Sequence, residues 1–300
     1  MKIAITGGTG LIGAACTEEL LEYGHEVYIL TRSPKQSEKA NLHYIKWLSD
    51  NASPEKELEG IDGFINLAGE SIFGRWTDEK KQKIMDSRMQ ATNEVLRILK
   101  TLKKTPEVLV NASAVGYYGV SEYDRFTERS TPKNKNFLTE VAMAWEEKAS
   151  AAKELGIRTV FSRFGVILDS KQGALPQMMK PYQFFAGGRI GSGKQWLSWI
   201  HIKDAARLMR FALSSPIEGP LNITAPFPEH NNEFGKELGE VLKRPHWIPA
   251  PAFMIKAVLG EMSVLILEGQ HAYPEKALQH GFKFDFPRLE GALQQLLITK

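Results

Sequence analysis

Short apolar runs alternate with amphipathic segments along the first half of the chain. Runs rich in β-branched and aromatic residues, which favour strands, lie at residues 2–6, 25–31, 43–47, 63–68, 107–113 and 158–163. Between them, apolar residues at helical spacing predict helices over 11–23, 77–103 and 137–155. This alternation predicts an α/β fold with a doubly wound parallel sheet, which gathers ligands at the carboxyl ends of its strands.

The pattern changes after Arg163, where segments rich in Pro, Gly and aromatic residues alternate with short helical stretches. We therefore expect two parts. Residues 1–163 and 197–224 would form the sheet domain, and residues 164–196 and 225–300 a smaller lobe that covers its ligand-binding edge.

The sequence AITGGTGLIG at residues 4–13 places glycines on the turn between the first strand and the first helix. Glycines here let the backbone bend sharply and approach a diphosphate, and the free amides of the helix stabilise its charge. A glycine-rich turn without a ligand is the alternative, but the strand–turn–helix context favours a dinucleotide. The residues predicted to bind it at this turn are Gly7, Thr9, Gly10, Leu11, Ile12 and Gly13.

The end of the second strand indicates which dinucleotide binds, because the residue that closes this strand faces the adenosine ribose. Thr31 and Arg32 stand at this point, where a carboxylate would accept hydrogen bonds from the ribose of NAD. A guanidinium instead suits a 2′-phosphate, so we predict NADP. A solvated loop arginine is the alternative, since the register of a strand end can be misjudged by about two residues.

The composition is typical of a globular cytoplasmic protein. With 43% hydrophobic and 24% charged residues, the 300-residue chain can bury one large core or a core with a smaller lobe. The net charge of +3 leaves no basic face for nucleic acid, and no apolar run can span a bilayer, so we expect neither nucleic acid nor a membrane as partner. We expect a buried thiol at Cys16 and no metal, because the seven histidines lack ligand spacing. The oligomeric state stays open, a homodimer being one alternative.

Five motifs resemble the extended short-chain dehydrogenase/reductases, the group of nucleotide-sugar epimerases and dehydratases. They are TGGTGLIG at 6–13, NLAG at 66–69, NASAVGYYG at 111–119, SRFGVIL at 162–168 and SWIHIKD at 198–204. GES at 69–71, the pair Arg75-Trp76, GSGKQW at 191–196 and the tail at 267–287 resemble the branch of NADP-dependent "epimerase family" proteins. The resemblance covers the whole chain. It implies a Rossmann-type sheet with a smaller C-terminal substrate lobe, NADP, and oxidoreductase or epimerase chemistry.

The resemblance also implies positions for cofactor and phosphate groups. Leu67, Ala68 and Gly69 follow the fourth strand, where the small Ala68 and Gly69 would let the adenosine part of the cofactor lie against the backbone, with strand–helix packing as the alternative. Arg88 would lie beside the cofactor, with an exposed helical arginine as the alternative. Arg163 closes a strand and would meet a substrate or cofactor phosphate, although a salt-bridged arginine would look identical.

The chain departs from this group at the catalytic residues. The group uses a Tyr with a Lys four residues later, which lowers the pKa of the Tyr so that its phenol exchanges a proton with the substrate. No Tyr-x-x-x-Lys occurs in this sequence. Alignment through Trp145 and Glu146 puts Leu138 and Ala142 at the two positions. Any chemistry must therefore use other side chains.

The candidates for proton transfer follow the fourth and fifth strands. Tyr118 is the first choice of proton donor, with core packing of the Tyr117-Tyr118 pair as the alternative. Ser113 lies one residue from the position of the group's serine. Glu70 would serve as a general base if burial raises its pKa, or would bond a cofactor hydroxyl.

Substrate contacts are expected from the second half of the chain. Arg189 and Lys194, with nearby glycine amides, would hold an anionic group, and His201 would contact the substrate unless it is a structural histidine. Two functional classes follow. One is an NADP-dependent oxidoreductase or epimerase for a small polar carbonyl or alcohol; the other is an NADP(H)-binding sensor or interaction protein without catalysis.

Overall fold

The computed structural model describes residues 1–298 and has a seven-stranded parallel sheet at its centre. The strands are β1 (Lys2–Thr6), β2 (Glu26–Thr31), β3 (Leu42–Lys46), β4 (Gly63–Asn66), β5 (Val108–Ala114), β6 (Arg125–Phe126), β7 (Arg158–Phe164), β8 (Val166–Leu168), β9 (Trp196–Leu197), β10 (Trp199–His201), β11 (Gly219–Ile223), β12 (Glu229–His230) and β13 (His271–Ala272). The sheet order is β3-β2-β1-β4-β5-β7-β11, with parallel pairing throughout. The strand order reverses direction between β1 and β4, so the predicted doubly wound sheet is confirmed.

Helices cover both faces of this sheet. They are α1 (Leu11–Glu22), α2 (Asp78–Thr101), α3 (Phe137–Ser150), α4 (Leu175–Gln183), α5 (Ile202–Ser214), α6 (Asn231–Leu242), α7 (Ala252–Leu259), α8 (Val264–Leu267), α9 (Glu275–Gln279) and α10 (Leu289–Leu297). Because side chains alternate along a strand, Ile3 and Ile5 of β1 join the core with α1 and α5, whereas Ala4 joins the core with α2. The three helices predicted from periodicity correspond to α1, α2 and α3.

The second half of the chain builds a further core beside the sheet. Tyr182 of α4, Phe234 of α6 and Leu293 of α10 pack there with Trp199. The short pairs β8–β10, β9–β12 and β6–β13 connect the segments. The division into two domains stays a prediction, and residues 299 and 300 of the predicted lobe lie outside the described residues.

A buried polar network joins strands β1, β4 and β5 near the carboxyl edge of the sheet. Asn66 Oδ1 accepts a hydrogen bond from Thr6 Oγ1 at 2.7 Å, and Asn66 Nδ2 donates to Asn111 Oδ1 at 2.6 Å and to Thr92 Oγ1 at 3.2 Å. Trp145 Nε1 donates to the same threonine hydroxyl at 3.0 Å. The network thereby connects three strands, β1, β4 and β5, with helices α2 and α3.

Replacement of the central amide tests this network. Asn66→Ala should lower the free energy of unfolding by about 3 kcal/mol, because it leaves buried hydroxyl and amide partners unsatisfied. Urea unfolding measures the change, and Asn93→Ala on the exposed face of α2 is the matched control. Equal stability of the two variants would contradict the role given to Asn66.

Candidate functional site

The turn between β1 and α1 is built by close backbone contacts. Gly7 has a φ of +67°, and a Cβ there would lie 2.8 Å from the carbonyl oxygen of Leu67. A Cβ on Gly13 would lie 2.2 Å from the carbonyl oxygen of Gly7. At Gly10 a Cβ would meet only that oxygen, at 3.4 Å. The protein's own backbone therefore requires the first and third glycines, whereas Gly10 borders open space.

The first turn of α1 offers free amides at this point. Gly10 is the N-cap residue and supplies no side-chain cap, and the first turn contains no acidic residue. Thr9 is exposed, and Leu11 and Ile12 are half-buried beside it. Uncapped amides and the positive end of the helix dipole suit a phosphate group, so these residues fit the diphosphate of a dinucleotide.

Arg32 directly follows the end of β2 and is exposed. Within residues 1–298 its guanidinium has no hydrogen-bond or salt-bridge partner, while the hydroxyl of Thr31 accepts a bond from the Ser33 amide at 3.3 Å. The end of β2 thus carries a cation that is free to meet an anion.

The residues after β4 lie against the glycine turn. The amides of Leu67 and Ala68 donate to Thr6 Oγ1 at 3.1 and 3.3 Å. A Cβ on Gly69 would lie 3.2 Å from Arg88, so the missing side chain makes room for the arginine.

Arg88 is a half-buried cation with only carbonyl partners. Its Nη1 donates to the carbonyl oxygens of Glu70 at 3.0 Å and Ile84 at 2.9 Å, and the guanidinium lies 4.9 Å from the centre of the Trp145 ring. Burial lowers its pKa to about 10. No carboxylate neutralises it at hydrogen-bond distance within the described chain, so it remains available to an anionic ligand group.

The environment of Glu70 contradicts the predicted general base. Its carboxylate is 45% exposed and accepts a hydrogen bond from Lys80 Nζ at 2.7 Å. This bond and the lysine charge lower the pKa of Glu70, whereas a base active near neutral pH needs a raised pKa.

The structure places Arg163, predicted to meet a phosphate, and Ser113, a candidate for proton transfer, in one buried cluster, and it supports the salt-bridged alternative for Arg163. Arg163 is 3% exposed and forms a bidentate pair with Glu146, with Nε–Oε1 and Nη2–Oε2 distances of 2.7 and 2.8 Å. Ser113 Oγ donates to the same carboxylate at 2.7 Å. The sequence reasoning missed Glu146 as their partner. Its place on the apolar face of α3, four residues after Ala142, was the available signal, because a buried carboxylate requires a cation.

Tyr118 lies in the core rather than in a cleft. It has 0% exposure, its hydroxyl donates to Asn222 Oδ1 at 2.7 Å, and burial raises its pKa to about 12. The geometry therefore does not support Tyr118 as the group that contacts substrate. The neighbouring Tyr117 is half-buried, its ring lies 3.5 Å from the Arg163 guanidinium, and its hydroxyl has no hydrogen-bond partner in residues 1–298.

His201 is a structural residue, which corrects its assignment to the substrate. It is fully buried; its Nδ1 accepts from the Lys203 amide at 3.1 Å and its Nε2 donates to Gln295 Oε1 at 2.8 Å. Burial lowers its pKa to about 4, so the ring is neutral and caps α5.

Arg189 and Lys194 are exposed on the segment between α4 and β9. No contact in the described structure joins them to the glycine turn, so their role stays a prediction.

Residues 1–298 contain no helix that is long and apolar enough to cross a membrane, and no cluster of side chains suited to a metal ion. Cys16 is buried as predicted, and burial raises the pKa of its thiol to about 12.

Comparison with known proteins agrees with this geometry. The model of the NAD-dependent epimerase/dehydratase family matches residues 3–224, and a domain of unknown function matches residues 250–296. The chain belongs to the NAD-dependent epimerase/dehydratase family. The predicted resemblance is thereby confirmed, and the chain is an epimerase-like protein of an NAD(P)-dependent family.

Relatives in this family match over the full chain. The Epimerase family protein YfhF of Bacillus subtilis is 51% identical over 100% of this chain and 99% of its own. The crystal structure of human epimerase family protein SDR39U1 with NADPH has a TM-score of 0.87 and 31% identity, and covers 99% of both chains. A nucleoside-diphosphate sugar epimerase from Corynebacterium glutamicum has a TM-score of 0.78 and 29% identity, over 99% of this chain and 58% of that chain.

Two glycine substitutions should separate ligand binding from folding. Gly10→Val should fold normally and lose dinucleotide binding, because the side chain enters the space next to the free amides. Gly13→Val should lower the melting temperature, because its Cβ would lie 2.2 Å from the Gly7 oxygen. Calorimetric titration and thermal unfolding distinguish the two effects. Undiminished affinity of Gly10→Val would remove the turn from the binding site.

Because of His201, the free energy of unfolding should decrease as the pH is lowered. In the unfolded chain His201 binds a proton near its ordinary pKa of 6.5, whereas in the folded chain its pKa is about 4. Lowering the pH between these values therefore favours unfolding by about 3 kcal/mol. His201→Asn, which can still cap the helix, should show a shallower slope in urea unfolding from pH 7 to pH 4. His271, whose pKa burial also lowers to about 4, accounts for a remaining slope. An unchanged slope in the variant would contradict this assignment.

Proposed function

We propose that the protein is an NADP(H)-dependent oxidoreductase or epimerase that acts on a small polar carbonyl or alcohol. The observation that carries the proposal is the open glycine turn at Gly10, with the unpaired Arg32 at the next strand end. The turn provides amides for a diphosphate, and the arginine provides a cation for a further phosphate. A cytoplasmic location accords with a single, buried cysteine.

The preference for NADP over NAD rests on charge at the end of β2. Arg32 is exposed and no carboxylate follows β2 in its place, so a bare ribose would gain little there and a 2′-phosphate would gain a charge-assisted hydrogen bond. The human relative whose crystal structure contains NADPH supports the same choice. Arg88 would supply a second cation beside the cofactor, since its guanidinium bonds only to carbonyl oxygens.

The nicotinamide ring of the bound cofactor would exchange a hydride with a carbon of the substrate. The chain must then supply or accept one proton at the substrate oxygen. We assign this role to Tyr117, because its hydroxyl is unpartnered and it stands on the turn directly after β5. Arg163, held by Glu146 beneath the ring, orients the phenol by a cation–π contact of 3.5 Å.

A binding protein without catalysis is the second candidate. The observation in its favour is that Leu138 and Ala142 occupy the positions of the group's Tyr and Lys, Ala142 being 2% exposed. No lysine of α3 reaches the reaction centre from that position. The activity of the wild type decides between the candidates.

Arg32 should determine cofactor choice. The wild type should bind NADPH at least about tenfold more tightly than NADH, a difference of about 1.4 kcal/mol, and Arg32→Asp should remove most of this difference. Calorimetric titration of both proteins with both nucleotides measures this difference. Retained binding of NADH by Arg32→Asp shows that the variant is folded. Equal affinities of the wild type for the two nucleotides would refute the NADP assignment.

The two adjacent tyrosines provide a matched test of catalysis. Tyr117→Phe should lower kcat for carbonyl reduction by about 10²–10⁴ while NADPH affinity is kept, because only the proton donor is lost. Tyr118→Phe should retain kcat and lose about 1–2 kcal/mol of stability, because Asn222 loses its partner. The opposite pattern would return the role to Tyr118. If the wild type binds NADPH but reduces no carbonyl on a broad panel, the binding-protein candidate replaces the enzyme.

A further inference from the structure

One surface of the C-terminal half exposes an unusual number of large apolar side chains. The apolar face, as we call it, comprises Phe184 (80% exposed), Phe185 (51%), Trp247 (67%), Ile248 (47%), Phe253 (72%), Met254 (53%) and Val258 (74%). Helix α7 itself has no buried residue. Single exposed apolar residues are ordinary, but a group of this size marks a surface that binds something.

Backbone contacts join the two segments that carry these residues. The Trp247 and Ile248 amides donate to the carbonyl oxygen of Gly187 at 2.8 and 3.0 Å, and Trp247 Nε1 donates to the carbonyl oxygen of Phe185 at 2.7 Å. The Ala250 amide donates to the carbonyl oxygen of Arg189 at 2.8 Å, and α7 begins two residues later. Residues 185–189 and 247–250 are therefore adjacent, although they are far apart in the sequence, and α7 continues directly from the second segment.

The charged side chains of residues 170–203 and 241–260 are all Lys or Arg. The basic rim consists of the exposed residues Lys180, Arg189, Lys243, Arg244 and Lys256. Residues 170–203 and 241–260 contain no Asp or Glu, although the whole chain has 35 acidic residues against 38 basic ones. None of the rim residues forms a salt bridge within the described chain, and Arg244 lies 4.3 Å from the centre of the Phe185 ring. Of the two carboxylates that border residues 241–260, Glu261 pairs with Lys81 at 2.9 Å and Glu240 is exposed.

We propose that the apolar face and its basic rim bind the surface of an anionic lipid bilayer. Aromatic and aliphatic side chains on an exposed helix enter the boundary between headgroups and acyl chains, and each nearby Lys or Arg gains from the negative surface potential. A second copy of the chain is disfavoured as the occupant, because a two-fold contact would bring two sets of five unpaired cations together. The sequence alone predicts no membrane partner. The two segments that carry the apolar face are far apart in the sequence and are brought together only by folding.

Vesicle sedimentation of the full-length protein tests the proposal. At low salt, the protein should bind vesicles of phosphatidylcholine with about 30% phosphatidylglycerol at least tenfold more tightly than pure phosphatidylcholine vesicles, and added salt should weaken the binding. The paired variant Phe253→Glu with Val258→Glu should abolish it. Tyr123→Glu, at a side chain that is 91% exposed and outside the apolar face, is the matched control.

A second pair of variants tests the charges. Lys243→Ala with Arg244→Ala should weaken binding to anionic vesicles about tenfold, whereas Lys103→Ala with Lys104→Ala, which removes the same charge elsewhere, should retain it. Unchanged thermal unfolding of each variant shows that the fold is kept. Absent binding to both vesicle types, or equal binding to both, overturns the proposal. So does a dimer in light scattering that Phe253→Glu with Val258→Glu dissociates, or retention on poly-glutamate beads without vesicle binding, since these identify a second copy or an acidic protein as the occupant.

Discussion

The hydrogen bonds of the Asn66 side chain are the interaction on which the binding edge of this protein depends. A buried amide is tolerated only when its donors and acceptor are all satisfied, and Asn66 achieves this through residues of two other strands and a helix. Register makes this possible, because Thr6 and Asn111 are the direct neighbours of Asn66 across β1 and β5. A shift of any of these strands would leave several buried groups unpaired at once.

The hydrogen bonds of this network also position the glycine turn. Thr6 both donates to Asn66 and accepts from the amides after β4, and Gly7 then packs directly against the carbonyl group of Leu67. These contacts fix the backbone of the turn on both sides, and they leave the first amides of α1 without a side-chain cap. Among the glycines of this turn, only Gly10 would place a Cβ without a contact shorter than 3.4 Å, so the fold itself does not require a glycine there.

A second buried group, the pair of Arg163 and Glu146, decides which side chains remain available for chemistry. Glu146 binds Nε and Nη2 of the guanidinium that the motif suggested for a phosphate, while Nη1 is buried without a hydrogen-bond partner. Glu146 also accepts a hydrogen bond from the hydroxyl of Ser113. The guanidinium of Arg163 lies against the ring of Tyr117, whose hydroxyl has no hydrogen-bond partner in residues 1–298. Asn66 and His201, whose side-chain hydrogen bonding is complete, thus maintain the fold, whereas the guanidinium of Arg32 has no partner within residues 1–298.

The sequence by itself determined the alternating elements, the glycine turn and the family, because periodicity and turn chemistry depend on neighbours along the chain. It also predicted the buried state of Cys16. The tertiary structure alone decided that Tyr118 and His201 are structural and that Glu70 has a lowered pKa, since each depends on a partner from another element. The apolar face has the same origin: sequence composition records each side chain, but exposure and adjacency exist only after the chain folds.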